Sequence, residues 1–209
     1  GDTAMHRRLH AVALAALLLS AVPASRAQTI DEQGLLAYYP LEFNARDSGT
    51  GHYDGTIAGG PLESDPDGVH GRSLALDGVD DAISFAALPD PYAENFAFAW
   101  NMRTADLAPR VWLGKRAGCT NSNYFEVRQD PAAPDQLVVE LGTGTGAPIQ
   151  ARGTIAANAW THVAFVREND TARLYIDGGL AQAVAIPSFV PGNNAAPFSI
   201  GASPCIGTA

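Results

Sequence analysis

The chain has 209 residues, 46% of them hydrophobic and only 17% charged, with 21 glycines and 14 prolines. That is long enough for a sizeable core in one domain, or one domain plus an appendage, with many turns between short elements. The formal net charge is −9, and a surface this acidic excludes nucleic-acid backbones and anionic lipid headgroups as partners.

Residues 1–4 precede the first methionine and read as a non-native or over-extended leader. Met5 to Ala27 has the layout of a secretory signal peptide. Arg7 and Arg8 form a basic start, Ala11 to Val22 an apolar run, and Ser25 and Ala27 place small residues before a cleavage point at Gln28. The apolar run is short of the ~20 residues that span a bilayer, which argues against a membrane anchor. Losing this leader removes three arginines and one aspartate, taking the net charge from −9 to −11. The mature domain is then 28–209, and its location secreted or cell-surface, whether extracellular or periplasmic.

From Leu35 to Leu41 the pattern predicts a first strand. A loop dense in Asn, Asp, Ser and Gly runs from Glu42 to Gly55, and Thr56–Ala58 reads as a short strand. Pro61 to Arg72 is expected as another loop. Ser73–Leu76 and Ala82–Phe85 are expected strands on either side of the turn Asp77-Gly-Val-Asp-Asp81. Phe96, Phe98, Trp100 and Met102 alternate with Ala97, Ala99, Asn101 and Arg103, which predicts a strand with its large residues in the core. Val111–Lys115, Tyr124–Arg128, Gln136–Leu141 and Ile149–Ile155 are four more.

The strongest stretch is Ala159 to Gly179. Trp160 to Arg167 has aromatic and β-branched residues on both faces and should be central in a sheet. Glu168 to Thr171 is a polar turn, Ala172–Asp177 alternates, and Asp177-Gly178-Gly179 tolerates the positive φ of a second tight turn. Leu180 to Ile186 supplies a third strand of an antiparallel meander. No segment beyond the leader has helical periodicity with start and stop signals, so the fold class is all-β, an antiparallel sandwich.

Four motifs in order resemble one family. They are Gly34-Leu-Leu-Ala-Tyr-Tyr-Pro-Leu41 with Asn44-Ala-Arg-Asp-Ser-Gly49, then Asp77-Gly-Val-Asp-Asp-Ala-Ile83, then Trp160-Thr-His-Val-Ala-Phe-Val-Arg167, then Leu174-Tyr-Ile-Asp-Gly178. Together they are similar to the laminin-G-like domains of the concanavalin A-like superfamily. The resemblance implies a two-sheet jelly roll over about residues 34 to 201. It also implies a further closing strand beyond the second cysteine, so 28–209 is expected to be C-terminally incomplete and part of a longer polypeptide. Related domains carry Trp where Asn101 stands, so their binding surface does not transfer directly.

The superfamily hosts lectins, adhesion modules and enzymes, and the fold alone does not choose among them. Glycoside hydrolysis needs two carboxylates held across the scissile bond. The laminarinase-like pattern E-x-D-x-x-E is approached only at Glu63-Ser-Asp65-Pro-Asp67-Gly68, where Pro66 and Gly68 predict a loop. Glu126 and Glu140 read as isolated on separate strands. His52, His70 and His162 are scattered, and no G-x-S-x-G elbow occurs. No catalytic residue is assigned. The expectation is a secreted, non-catalytic recognition module for an extracellular glycan or a protein partner. The alternative is a polysaccharide-degrading glycosidase or lyase.

Two further sites are expected. Many domains of this family hold a structural calcium near the opening loop, which implies a seat at Asn44, Asp47 and His52, offering one amide oxygen, one carboxylate and backbone carbonyls. Asp77, Asp80 and Asp81 form a tighter acidic cluster. Cys119 and Cys205 are the only cysteines. An even count in a secreted chain invites a disulfide, and the segments around them resemble paired cysteine segments of some laminin-G-like domains.

Overall fold

A computed structural model describes residues 34–60, 63–89, 95–120, 123–144, 146–186 and 194–205. The expected leader and signal peptide lie outside these residues, as does everything after Cys205. Thirteen strands and no α-helix occur among the described residues.

In chain order the strands are β1 (Thr56–Ala58), β2 (Glu63–Gly68), β3 (Gly71–Ala75), β4 (Ala82–Phe85), β5 (Phe96–Met102), β6 (Val111–Lys115), β7 (Phe125–Asp130), β8 (Ala133–Leu141), β9 (Ile149–Thr154), β10 (Thr161–Glu168), β11 (Thr171–Ile176), β12 (Gly179–Ala185) and β13 (Phe198–Ile200). A seven-stranded sheet has the order β1-β4-β13-β6-β7-β8-β9, and a four-stranded sheet the order β12-β11-β10-β5. β2 and β3 form a separate hairpin. Every pairing is antiparallel.

The two sheets meet through their apolar rows. Leu113, Val127, Val139 and Ala151 stand opposite one another across β6 to β9, while Phe98, Phe165 and Leu174 do so across β5, β10 and β11. Between them the rings of Phe98, Phe125 and Phe198 stack at 5.1 to 6.1 Å between centroids. Phe125 and Phe165 are buried to 1% exposure or less. Fully burying a side chain of this size contributes ~1.5–3 kcal/mol, so this aromatic seam is what joins the layers. β10 sits between β5 and β11, the inner position expected of a strand apolar on both faces. The β11–β12 turn has φ of 49° at Asp177 and 78° at Gly178, the left-handed pair that a two-residue hairpin turn of this hand requires.

Three local expectations are corrected. Leu35–Leu41 joins no ladder among the described residues, with Leu36 and Tyr38 exposed, Ala37 and Tyr39 half-buried and Leu41 at a φ of 53°. The Tyr38 N–H donates to the Asp47 carboxylate at 2.8 Å and its carbonyl accepts from Ser48, so side-chain and loop bonds take the place of a neighbouring strand. The expected loop from Pro61 to Arg72 contains most of the β2–β3 hairpin. Pro66 is tolerated because this two-stranded ladder breaks register between Asp65 and Gly68, where no N–H is needed. Finally, Phe198–Ile200 forms a strand that the sequence pattern does not announce. It slots between β4 and β6, near the middle of the large sheet.

Candidate functional site

Alternation along β7 sends Phe125 and Val127 into the core and Glu126, Arg128 and Asp130 to the opposite face. Register then decides which groups meet there. Glu126 stands directly opposite Glu140, Glu140 opposite Gln150, and Arg128 opposite Val138, which faces Arg152 on β9. The two glutamates that look isolated in the sequence are therefore cross-strand neighbours. Like charges at such positions destabilise a sheet unless each finds a counter-ion, and here each does. Arg116 contacts Glu126 at 2.9 Å and Arg128 contacts Glu140 at 2.6 Å.

The other carboxylate oxygens are bonded as well. Ser203 donates its hydroxyl to Glu126 Oε1 at 2.6 Å. Gln150 donates to Glu140 Oε1 at 2.6 Å and the Tyr124 hydroxyl to Oε2 at 3.2 Å. The Arg116 guanidinium also lies 3.8 Å from the centre of the Tyr124 ring. Burial, and then the Glu140 charge, push the Tyr124 phenol up to about 12. Glu126 and Glu140 are only 1% and 4% exposed. Chemically the arrangement is a scaffold: both carboxylates are hydrogen-bonded on both oxygens and withdrawn from solvent, unlike an acid and a nucleophile facing a scissile bond.

The network becomes more accessible toward β9. The side chain of Arg116 is 10% exposed, that of Arg128 17% and that of Arg152 37%. Arg152 is paired with Asp130, and its Nη2 donates to Gln150 Oε1 at 2.8 Å. Its backbone N–H donates to Gln182 Oε1 on β12 at 2.6 Å, tying the free edges of the two sheets together. Along this seam runs a cleft of about 450 Å³, lined among others by Gln136, Arg152, Thr154, Ile176 and Leu180.

Asn44, Asp47 and His52 lie in the segment that follows Leu41. Asp47, 5% exposed, accepts the N–H groups of Tyr38 and Gly49 on Oδ1 and of Tyr53 on Oδ2, all at 2.8–2.9 Å. Burial pushes its carboxyl up, but these three bonds and nearby His52 outweigh that and hold it below the usual range. Asn44 accepts from Arg46 N–H across an Asx turn, and His52 is exposed. Asp77, Asp80 and Asp81 are nearer together, with a carboxylate oxygen of each within 4.8 Å of the others. Asp77 Oδ1 accepts from Val79 N–H at 2.8 Å, which holds that carboxyl low. His162 is exposed, its backbone N–H donating to Asp177. Cys119 and Cys205 are joined by a disulfide, with Cα atoms 4.9 Å apart.

The sequence profile of the laminin-G type within the concanavalin A-like lectin/glucanases superfamily matches residues 77–209, more than half of the chain. The chain belongs to this superfamily. Its fold is shared by the binding domain of Paraclostridial Mosquitocidal Protein 1, at 12% identity and TM-score 0.60, over 75% of this chain and 41% of that one. Domain 4 of AbnA, an extracellular arabinanase from Geobacillus stearothermophilus solved in complex with arabinotriose, is similar at 20% identity and TM-score 0.61, over 79% of this chain and 82% of that one. The binding domain of botulinum neurotoxin DC, solved with rat synaptotagmin II, is similar at 14% identity and TM-score 0.57, over 80% and 43%. The chain thus spans about two fifths of each toxin domain. At these identities the likeness is one of fold. No curated protein matches the chain in sequence.

Concanavalin A-like folds often carry calcium, and the donor sets here differ in fitness for it. A hard cation needs carboxylate oxygens with free lone pairs. Asp47 has N–H donors on both oxygens, whereas Asp77 takes its three N–H groups on Oδ1 alone and the 77–81 turn gathers three acids. Asp47→Asn tests the first point. An amide nitrogen would face the Tyr53 N–H, donor against donor, with an expected loss of about 2 kcal/mol in stability at neutral pH. The folded carboxyl titrates below its unfolded value of about 3.9. Its contribution is therefore full above that value and fades as the pH falls toward the folded pKa. Urea melts of both proteins should converge in acid, and a constant gap down to the lowest pH would refute the assignment.

Proposed function

We propose that this chain is a non-catalytic recognition module, exported to the cell exterior or periplasm, that binds a glycan. The observation that carries the reading is the outer face of the seven-stranded sheet. Its charged groups are mutually paired and rigid, and its most exposed member, Arg152, lines a cleft of ligand size. Support also comes from a fold neighbour, the arabinanase domain solved with a sugar, while the toxin domain solved with a protein favours a protein partner as the second reading. The leader supports the same setting, with 5–27 as a signal peptide and 28–209 as the domain. A glycan array on the exported protein tests the proposal. Saturable binding without release of reducing ends supports it. Turnover that disappears on a single Glu or Asp substitution would replace it with the polysaccharide-degrading reading.

We also propose a structural calcium, for which the Asp77, Asp80 and Asp81 oxygens are the favoured seat and Asn44, Asp47 and His52 the other. Calcium at 100 times its Kd is expected to add ~2.7 kcal/mol by mass action. Loss of that increment in Asp80→Asn assigns the ion to the 77–81 turn, and loss in Asp47→Asn alone to the earlier loop. A melting midpoint indifferent to EDTA removes the ion altogether.

A further inference from the structure

We propose that the cleft along the β9–β12 seam is a subsite for a short neutral oligosaccharide, an inference that rests on the glycan-binding reading. Its volume of about 450 Å³ lies within the ~300–1,000 Å³ typical of small-ligand sites. A sugar ring asks for two things at once: polar groups that both donate to and accept from neighbouring hydroxyls, and an apolar surface for its C–H face. The cleft offers both on opposite walls.

The polar wall is built from β8 and β9. Gln136 Nε2 donates to Thr154 Oγ1 at 2.9 Å. The pairing leaves the threonine hydroxyl proton to donate and the glutamine carbonyl to accept, the complement of a vicinal diol. Arg152 adds a planar fork of five N–H donors, of which one goes to Asp130 and one to Gln150. The apolar wall comes from β11 and β12, with Ile176 and with Leu180, which is 57% exposed.

Charge selects a neutral ligand. Asp130 is paired with Arg152 and balances its charge, and the chain as a whole is at −9, so an acidic sugar meets repulsion without a free cation to offset it. The walls are also preset. The Arg152 N–H to Gln182 bond holds β12 against β9. Gly153 lies so close beneath that a Cβ there would meet Ile176 Cγ1 at 2.7 Å and Ala181 Cβ at 3.2 Å. Little ordering remains to be done on binding, which favours affinity.

The test is calorimetric titration of the full exported chain with neutral pentose and hexose oligosaccharides and with uronate oligosaccharides. Thr154→Ala and Leu180→Asp are compared with Val69→Ser, an exposed position elsewhere; all three are surface changes whose folding is checked by thermal melts. The expected result is binding of a neutral oligosaccharide, weakened at least tenfold in Thr154→Ala and Leu180→Asp and unchanged in Val69→Ser. Wild-type binding that survives both cleft substitutions overturns the subsite and leaves the glycan reading standing. Preference for uronates also overturns it. Absence of binding to every glycan overturns the reading and the subsite together.

Discussion

Glu140→Ala is expected to lower the unfolding free energy by about 3–5 kcal/mol, the range for removing one partner of a buried ion pair. Arg128 is what makes it costly. Burial pushes its guanidinium down, but the hydrogen bond and charge of Glu140 more than offset this, and an arginine cannot shed its proton to escape. The substitution also strips the acceptor from Gln150 and from the Tyr124 hydroxyl. Because the Arg128 side chain keeps 17% exposure, water reaches part of it and the lower end of the range is expected. Guanidinium melts give the number, with the slope checked for constancy. The companion is Glu140→Leu with Arg128→Met, which removes both charges and should recover much of the loss. A single-variant loss below about 1 kcal/mol would mean that the pair is solvated and that the outer face is not the rigid scaffold described above.

Removing the disulfide is expected to cost a similar amount for a different reason. Cys119 and Cys205 are 86 residues apart, and on the chain-entropy account a loop of that length stabilises the folded state by about 4.5 kcal/mol through the unfolded one. Part of the effect is local. Ser203, two residues before Cys205, donates to Glu126, so freeing this segment also loosens the acidic end of the network. The Cys119→Ser/Cys205→Ser double variant should melt well below the oxidised protein, and reductant should lower the midpoint of the native chain alone. A digest without reduction should yield the two cysteine peptides as one cross-linked species. Alkylation of both cysteines before any reduction would sink the pairing.

Most strands are legible one at a time because period-two alternation is a local property. Phe96 to Met102 and Thr161 to Glu168 announce a buried face without reference to any neighbour. The motifs around Asp77, Trp160 and Leu174 carry the fold, since their order along the chain reflects a jelly roll. Short or disguised elements escape this kind of reading. β13 has three residues, too few for a period, and owes its place to partners on both sides. β2 hides behind Pro66, which is excluded from regular strands but not from an irregular edge ladder.

The site was less legible than the fold. Glu126 and Glu140 are fourteen positions apart, and only the β7–β8 register sets them side by side; slipping one strand by one residue would send one of the two into the core. Asp47 could be recognised as a loop carboxylate, but whether it waits for a cation or satisfies three N–H groups depends on how the backbone of 38–53 folds around it. The cleft exists only where the edge of one sheet meets the edge of the other, between residues some thirty positions apart. The sequence by itself thus determined which residues are strand and which faces are apolar, because those depend on neighbours two positions away. Which polar groups meet was decided by the tertiary structure, because cross-strand distance is set by register and by the packing of two sheets, and neither is written in any local stretch of chain.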